Sequence, residues 1–144
     1  MKKISKMQVA AWVLSLLPMA LAAVFYSRLP AEIPMQWNFG GYVGYETKWH
    51  LWIVAGMAPL FAVLFYFLPR FDPKSKNYDK FSDAYIGFQI MIDLFLTAMC
   101  GICIAEALRP GTVDVPTVVC LLVSLLVVWL GNVMPKFRMN WYCG

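Results

Sequence analysis

Four long apolar runs constrain this chain more than any other feature of its sequence. Each is about twenty residues long, enough to cross a hydrocarbon core of about 30 Å at about 1.5 Å per residue. Lipid leaves no partner for unpaired backbone groups, and the runs lack the alternation of barrel strands. The sequence therefore predicts an all-α fold, a polytopic membrane helical bundle with four transmembrane helices at residues 7–27, 51–69, 84–105 and 115–135.

The composition agrees with a single membrane domain over residues 1–144. Hydrophobic residues make up 61% of the chain and charged residues only 14%, which excludes an ordinary soluble domain. Residues 28–50 then form an outer loop, and residues 70–83 form a cytoplasmic loop.

The basic residues predict the orientation, because cytoplasmic loops concentrate Lys and Arg. Nine of the twelve lie on the side of the termini and of residues 70–83. Both termini are therefore expected in the cytoplasm, and Arg28, Lys48 and Arg109 outside. Topology and anionic lipid account for the net charge of +4. We expect the lipid bilayer as a partner and no direct contact with nucleic acid.

The outer loop combines residues that fix or permit turns with aromatic residues. Prolines and glycines restrict or free its backbone, while Trp37, Tyr42 and Tyr45 suit a membrane surface or a peptide. Two interpretations stay open, a recognition surface and a compact cap over the helix ends.

The third run carries a charged residue near its middle. Asp93 shares one helix face with Gln89 and Thr97 at spacings of four, and Cys100 lies close by. A carboxylate in the bilayer centre costs on the order of 3 kcal/mol or more, so this stripe should point into the bundle. Asp93 is then either a proton or ligand site or a neutral acid that bonds two helices. The first reading predicts a small proton-coupled transporter or channel, which four helices could form only as a homo-oligomer.

The cysteines and the single histidine indicate no cofactor and no metal site. Cys100 and Cys103 have redox-motif spacing but lie inside a span, where small residues at helix contacts are the favoured interpretation. No acidic pair and no Cys/His group stands at metal-ligand spacing around His50. An enzyme is not expected, since only a pairing of Asp93 with His50 across helices would offer one.

Two motifs resemble the SdpI family of bacterial immunity proteins, which carries an N-terminal domain of unknown function. The first is formed by Leu29, Pro30, Ile33, Pro34, Trp37, Asn38, Gly41 and Lys48. Gln36 stands where the family usually has histidine, so a role that depends on protonation or a metal does not carry over at this position.

The second motif closes the fourth run and is formed by Gly131, Asn132, Pro135, Lys136, Asn140 and Gly144. Pro135 ends the helix, and Asn132 either bonds a neighbouring helix or contacts a ligand. Family members usually continue through further helices, so the resemblance implies a chain truncated at its C-terminus.

The resemblance implies a multi-pass protein of the bacterial cell membrane that confers resistance to a secreted toxic peptide. It also implies a cytoplasmic repressor as a second partner, held by residues 74–80 or 136–138, although lipid contact explains those charges equally well. The expected ligand-binding residues are Pro34, Gln36, Trp37, Asn38, Gly41, Lys48, Asp93, Asn132 and Asn140.

Overall fold

The computed structural model describes residues 5–73 and 75–136. Within this part of the chain, four helices are long and apolar enough to cross a membrane, which confirms the predicted multi-pass helical bundle. They comprise Lys6–Arg28, Lys48–Phe71, Ser82–Leu108 and Val115–Lys136. The regular helices within them are α1 (Lys6–Ser15), α2 (Leu17–Phe25), α3 (Leu51–Phe71), α4 (Ser82–Leu108) and α5 (Val115–Val133).

The first span is interrupted, where the sequence predicted a continuous helix. α1 ends at Ser15 and α2 begins at Leu17. Pro18 stands in the first turn of α2, where its missing N–H and fixed φ are tolerated. The break follows from this proline.

A short β-hairpin in the outer loop departs from the all-helical expectation. Strand β1 (Glu32–Trp37) pairs antiparallel with β2 (Val43–Thr47), and the register shifts between Pro34 and Gln36. Gly41 has φ of +83°, a conformation that glycine adopts at little cost and that lets the chain reverse. The prolines and glycines of this loop therefore build a hairpin.

Small side chains let the first three spans approach one another closely. α4 buries a face that includes Gln89, Asp93 and Cys100. The faces of α1, α2 and α3 that are buried in the bundle carry mainly small residues, which allow close backbone contact between membrane helices. They are Ala11, Ser15, Pro18 and Ala22 on the first span and Ala55, Ala58 and Ala62 on α3.

The hairpin is fixed to the outer end of this bundle by apolar contacts. Ile33 of β1 is fully buried, and it belongs to one buried cluster with Leu51 at the start of α3 and with Ile104 and Ala107 near the end of α4. β1 also contacts α4 directly. The hairpin therefore lies on the ends of the helices and covers them.

The fourth span packs much less tightly than the others. Only 6% of its apolar window is buried, against 22–33% in the other spans, so most of α5 faces the lipid. It meets α4 where the Trp129 ring stacks on Phe88, with centroids 6.5 Å apart. Gly87 makes room for this contact, because a Cβ atom there would lie 3.3 Å from the Trp129 ring.

We expect Ala58→Leu to destabilise the bundle by about 1–3 kcal/mol, because a larger side chain on a fully buried position of α3 forces the helices apart. The thermal midpoint of the detergent-purified protein, followed by tryptophan fluorescence, measures the effect. Met57→Leu at the adjacent, exposed position is the matched control and should leave the midpoint nearly unchanged. Equal midpoints for the two variants would contradict close packing at Ala58.

Candidate functional site

A cleft of about 380 Å³ lies between the hairpin and the turn that joins α4 to α5, at the end of the bundle that is predicted to face outward. We call it the outer cleft. The hairpin supplies one wall and the α4–α5 turn, residues 109–114, supplies much of the other. Its lining residues are Pro34, Trp37, Asn38, Phe39, Gly41, Tyr42, Val43, Tyr45, Glu106, Pro110, Gly111, Val113, Asp114, Val115, Pro116 and Thr117.

The hairpin wall is shaped by the turn between its strands. The side-chain oxygen of Asn38 accepts a hydrogen bond of 2.9 Å from the Tyr42 amide, and the Asn38 carbonyl accepts one of 3.2 Å from the Gly41 amide. A short side chain that bonds the backbone of its own turn is typical of Asn. Asn38 therefore contributes first to the shape of the turn.

Trp37 contributes a large ring and an unused donor to the same wall. Its indole Nε1 is buried and has no hydrogen-bond partner among the residues that the structure describes. Buried indole N–H groups usually find a partner, so this donor is an exception among the described residues.

The opposite wall depends on Glu106. This carboxylate is 4% exposed, and it accepts hydrogen bonds of 2.9 Å from the Gly111 amide and 2.8 Å from the Val113 amide. The Thr112 hydroxyl lies 3.1 Å from Oε1. Gly111 has φ of +79°, which suits a tight turn. Glu106 thereby ties the α4–α5 turn to the end of α4.

The outer cleft presents exposed aromatic rings and an acidic character. Phe39 is 79% exposed, Tyr42 62% and Tyr45 52%. Glu106 and Asp114 are the acidic residues of its lining, and no Lys, Arg or His occurs among the lining residues. A ligand with apolar and cationic groups fits these walls.

Four of the nine predicted site residues come together here, namely Pro34, Trp37, Asn38 and Gly41. Gln36 is exposed on β1 opposite Gly44 and does not line the cleft. Lys48 also lies apart from it, with its amine 4.7 Å from the centre of the Tyr26 ring. The prediction that these two residues bind a ligand stays a prediction.

The predicted polar stripe on α4 is buried inside the bundle. Gln89 is 1% exposed and Asp93 is fully buried. Gln89 Oε1 accepts a hydrogen bond of 3.2 Å from Gln8 of α1. Gln89 Nε2 and both carboxyl oxygens of Asp93 have no partner of hydrogen-bonding geometry within the described residues.

The neighbouring polar side chains bond backbone carbonyls and not the carboxyl group of Asp93. The Thr97 hydroxyl donates to the Asp93 carbonyl at 2.7 Å, and the Cys100 thiol lies 3.6 Å from the Pro18 carbonyl. Cys100 and Cys103 are free and belong to the buried cluster that α4 shares with α2 and α3.

Asn132 and His50 lie neither in the outer cleft nor beside Asp93. Asn132 is exposed in the last turn of α5, so the side chain is not packed against another helix of the described chain. Asn140 lies outside the described residues. His50 bonds Thr47 at 3.0 Å and is not paired with Asp93. Across residues 5–73 and 75–136, no group of three His, Cys, Asp or Glu residues is arranged to hold a metal ion.

Sequence reasoning missed the second wall of the outer cleft. The third span was predicted to end at residue 105, but α4 continues to Leu108 and includes Glu106. The available signal was an acidic residue shortly before Pro110 and Gly111, where unsatisfied turn amides need an acceptor. Phe39, between Asn38 and Gly40, was also overlooked.

Comparison with known proteins identifies one segment of the chain. Residues 13–58 match a domain of unknown function, DUF1648. The match begins within α1, includes the whole hairpin with the first motif, and ends within α3. No curated protein and no solved structure matches the chain.

We expect Glu106→Ala to loosen the α4–α5 turn, because two turn amides lose a charged acceptor worth about 1–3 kcal/mol. Hydrogen–deuterium exchange at Gly111 and Val113 should accelerate. In Glu106→Gln the side-chain oxygen can still accept from one of the two backbone amides, but the side-chain NH₂ group cannot accept from the other. We therefore expect an exchange rate between those of the unmodified protein and Glu106→Ala. Asp114→Asn is the control, since Asp114 makes no side-chain cap bond to α5. Unchanged exchange in Glu106→Ala would show that the turn does not depend on this carboxylate.

Proposed function

We propose that this protein is a membrane immunity protein that captures a secreted toxic peptide in the outer cleft. The observation that carries the proposal is the cleft itself, which lies on the predicted outer side and combines exposed aromatic rings with acidic groups. The resemblance of residues 29–48 to the first motif of the SdpI family supports it, and the DUF1648 match covers the same residues.

The chemistry of the walls favours a cationic, amphipathic peptide. Its apolar side chains would lie against Phe39, Tyr42 and Tyr45, where burial of aromatic surface contributes most of the binding free energy. Its Lys or Arg side chains would approach Asp114 at the rim. Many toxic peptides must combine these two properties to reach and enter an anionic membrane. Capture at the outer end of the bundle holds the peptide before it inserts.

The cleft is held in place well enough to bind without large rearrangement. Ile33 anchors the hairpin in the core, and Glu106 fixes the opposite wall. Pre-formed walls reduce the entropy that is lost when a ligand binds. This arrangement favours binding over a role as a simple cover for the helix ends.

Signalling to a cytoplasmic repressor is a second part of the proposal. On the predicted cytoplasmic side, Arg70, Lys76 and Lys80 are exposed around the connection between α3 and α4. Arg70 is stacked on the Tyr66 ring, with its guanidinium carbon 3.9 Å from the centroid, and its side chain also bonds the Tyr66 hydroxyl. These cations suit an acidic protein surface, and anionic headgroups are the competing partner.

We expect Tyr42→Ala to weaken peptide capture by about tenfold or more, as the loss of a central aromatic contact does in other interfaces. Toxin-sensitive bacteria that express the protein are challenged with a panel of purified cationic peptide toxins. Protected cells identify the peptide, and its affinity for the purified protein in nanodiscs is then measured for each variant.

Trp49→Ala is the matched control for this experiment. Trp49 is an exposed aromatic residue of the same outer loop, but it stacks on His50 and does not line the cleft. The control should retain protection at equal membrane expression. Equal losses in Tyr42→Ala and Trp49→Ala would contradict capture in the outer cleft, and no protection by the unmodified protein against any peptide would contradict immunity to this class of toxin.

A further inference from the structure

We propose that Asp93 is a proton-binding site inside the membrane domain, reached from the cytoplasmic side along Gln8 and Gln89. This inference is independent of the outer cleft, which lies at the far end of α4. It concerns the buried polar cluster formed by Gln8, Gln89 and Asp93.

The first step is that no hydrogen-bond partner in the described chain would stabilise a charge on the Asp93 carboxyl group. Its side chain is fully buried, and neither carboxyl oxygen has a hydrogen-bond partner among the described residues. An ionised carboxylate that is buried without a partner costs many times more than a neutral carboxylic acid. The geometry therefore favours an Asp93 side chain that holds a proton.

The second step is the set of groups that face Asp93 from the packed helices. The buried residues of α1 and α2 include Ala11, Ser15 and Ala22, and those of α3 include Ala58 and Ala62. Residues 7–27, 51–69 and 115–135 contain no Asp, Glu, Lys, Arg or His, so no charged side chain of these spans stands against Asp93. Their titratable residues are Tyr26, Tyr66 and Cys120, and on α4 itself Cys100 shares the buried face.

The third step is a polar connection toward the cytoplasmic side. Gln8 lies in the first turn of α1 and is only partly buried. Its Nε2 donates to Gln89 Oε1 at 3.2 Å, and Gln89 stands one helical turn before Asp93. Gln89 Nε2 is itself without a partner in the described chain, so a water molecule between the amide and the carboxyl would satisfy both. The two glutamines thus place polar groups from the first turn of α1 to within one helical turn of Asp93, and water along this ladder, not the neutral amides, would carry the proton.

Toward the hairpin, Ala22, Ala55, Cys100 and Ile104 belong to a buried cluster on which the hairpin rests. Gln8, by contrast, is half-buried in the first turn of α1. The glutamines therefore connect Asp93 to the end of the bundle opposite the hairpin, and a one-sided connection of this kind is what the transporter or channel hypothesis requires.

Infrared spectroscopy of the full chain in liposomes of ether-linked lipids, which carry no ester carbonyl, tests the proposal. The carbonyl stretch of a neutral carboxylic acid is separate from carboxylate and amide bands, so the acid form of Asp93 should give a band at neutral pH that disappears in Asp93→Asn. Asp93→Glu, which keeps the acid, should shift the band, and this variant serves if Asp93→Asn does not fold. A spectrum without any such band in the unmodified protein would overturn the proposal.

Exchange into D₂O tests the route. Deuteration shifts the Asp93 band, and its rate should fall severalfold in Gln8→Leu and Gln89→Leu. Gln36→Leu is the matched control, because this glutamine is exposed on the hairpin and should leave the rate unchanged. A rate that is the same in Gln8→Leu and Gln36→Leu would overturn the cytoplasmic route. None of these measurements involves a peptide, so their outcome is separate from that of the capture experiment.

Discussion

The structure depends on the close approach of α4 to the first and second membrane spans. Alanine, serine and proline on α1, α2 and α3 leave little side-chain volume between the helices, and lipid tails cannot enter so narrow a space. Because α4 is enclosed on these sides, it can carry Asp93 in its middle without exposing a carboxyl group to hydrocarbon. The same helix extends to the outer surface, where Glu106 orders the turn that faces the hairpin.

α4 therefore places two carboxyl groups in two different environments, Glu106 near its end and Asp93 in its middle. Near the hairpin, backbone amides of the α4–α5 turn donate to the Glu106 carboxylate, and the cleft beside it is aromatic and acidic. In the middle of α4, the Asp93 carboxyl oxygens and Gln89 Nε2 are buried without a partner of hydrogen-bonding geometry among the described residues, which favours a neutral Asp93. The two carboxyl groups therefore differ in their surroundings, since Glu106 accepts two backbone hydrogen bonds whereas Asp93 has the amide of Gln89 one helical turn away and accepts no hydrogen bond in the described chain.

The predictable part of this fold was the part that hydrophobic length and helical spacing determine. Four spans and an inward-facing stripe followed from these two rules, although Thr97 of that stripe is only half-buried while Gln89 and Asp93 are buried. The hairpin did not, because β1 and β2 are short and their pairing depends on a tertiary contact of Ile33. Glu106 was missed because apolar length does not reveal where a helix continues into ordered polar structure. α5 is apolar on every side, so its sequence gave no indication of which face meets α4 or whether Asn132 is covered.

The two walls of the outer cleft come from segments that lie far apart in the chain. The DUF1648 match ends at residue 58 and includes only the hairpin wall, whereas Glu106, Pro110 and Val113 belong to a part of the sequence that the match does not cover. If the cleft captures a peptide as proposed, substitutions in the α4–α5 turn will alter ligand preference while the hairpin and its anchor in the core stay intact. Related chains could share a recognisable domain and still have diverged in what they bind.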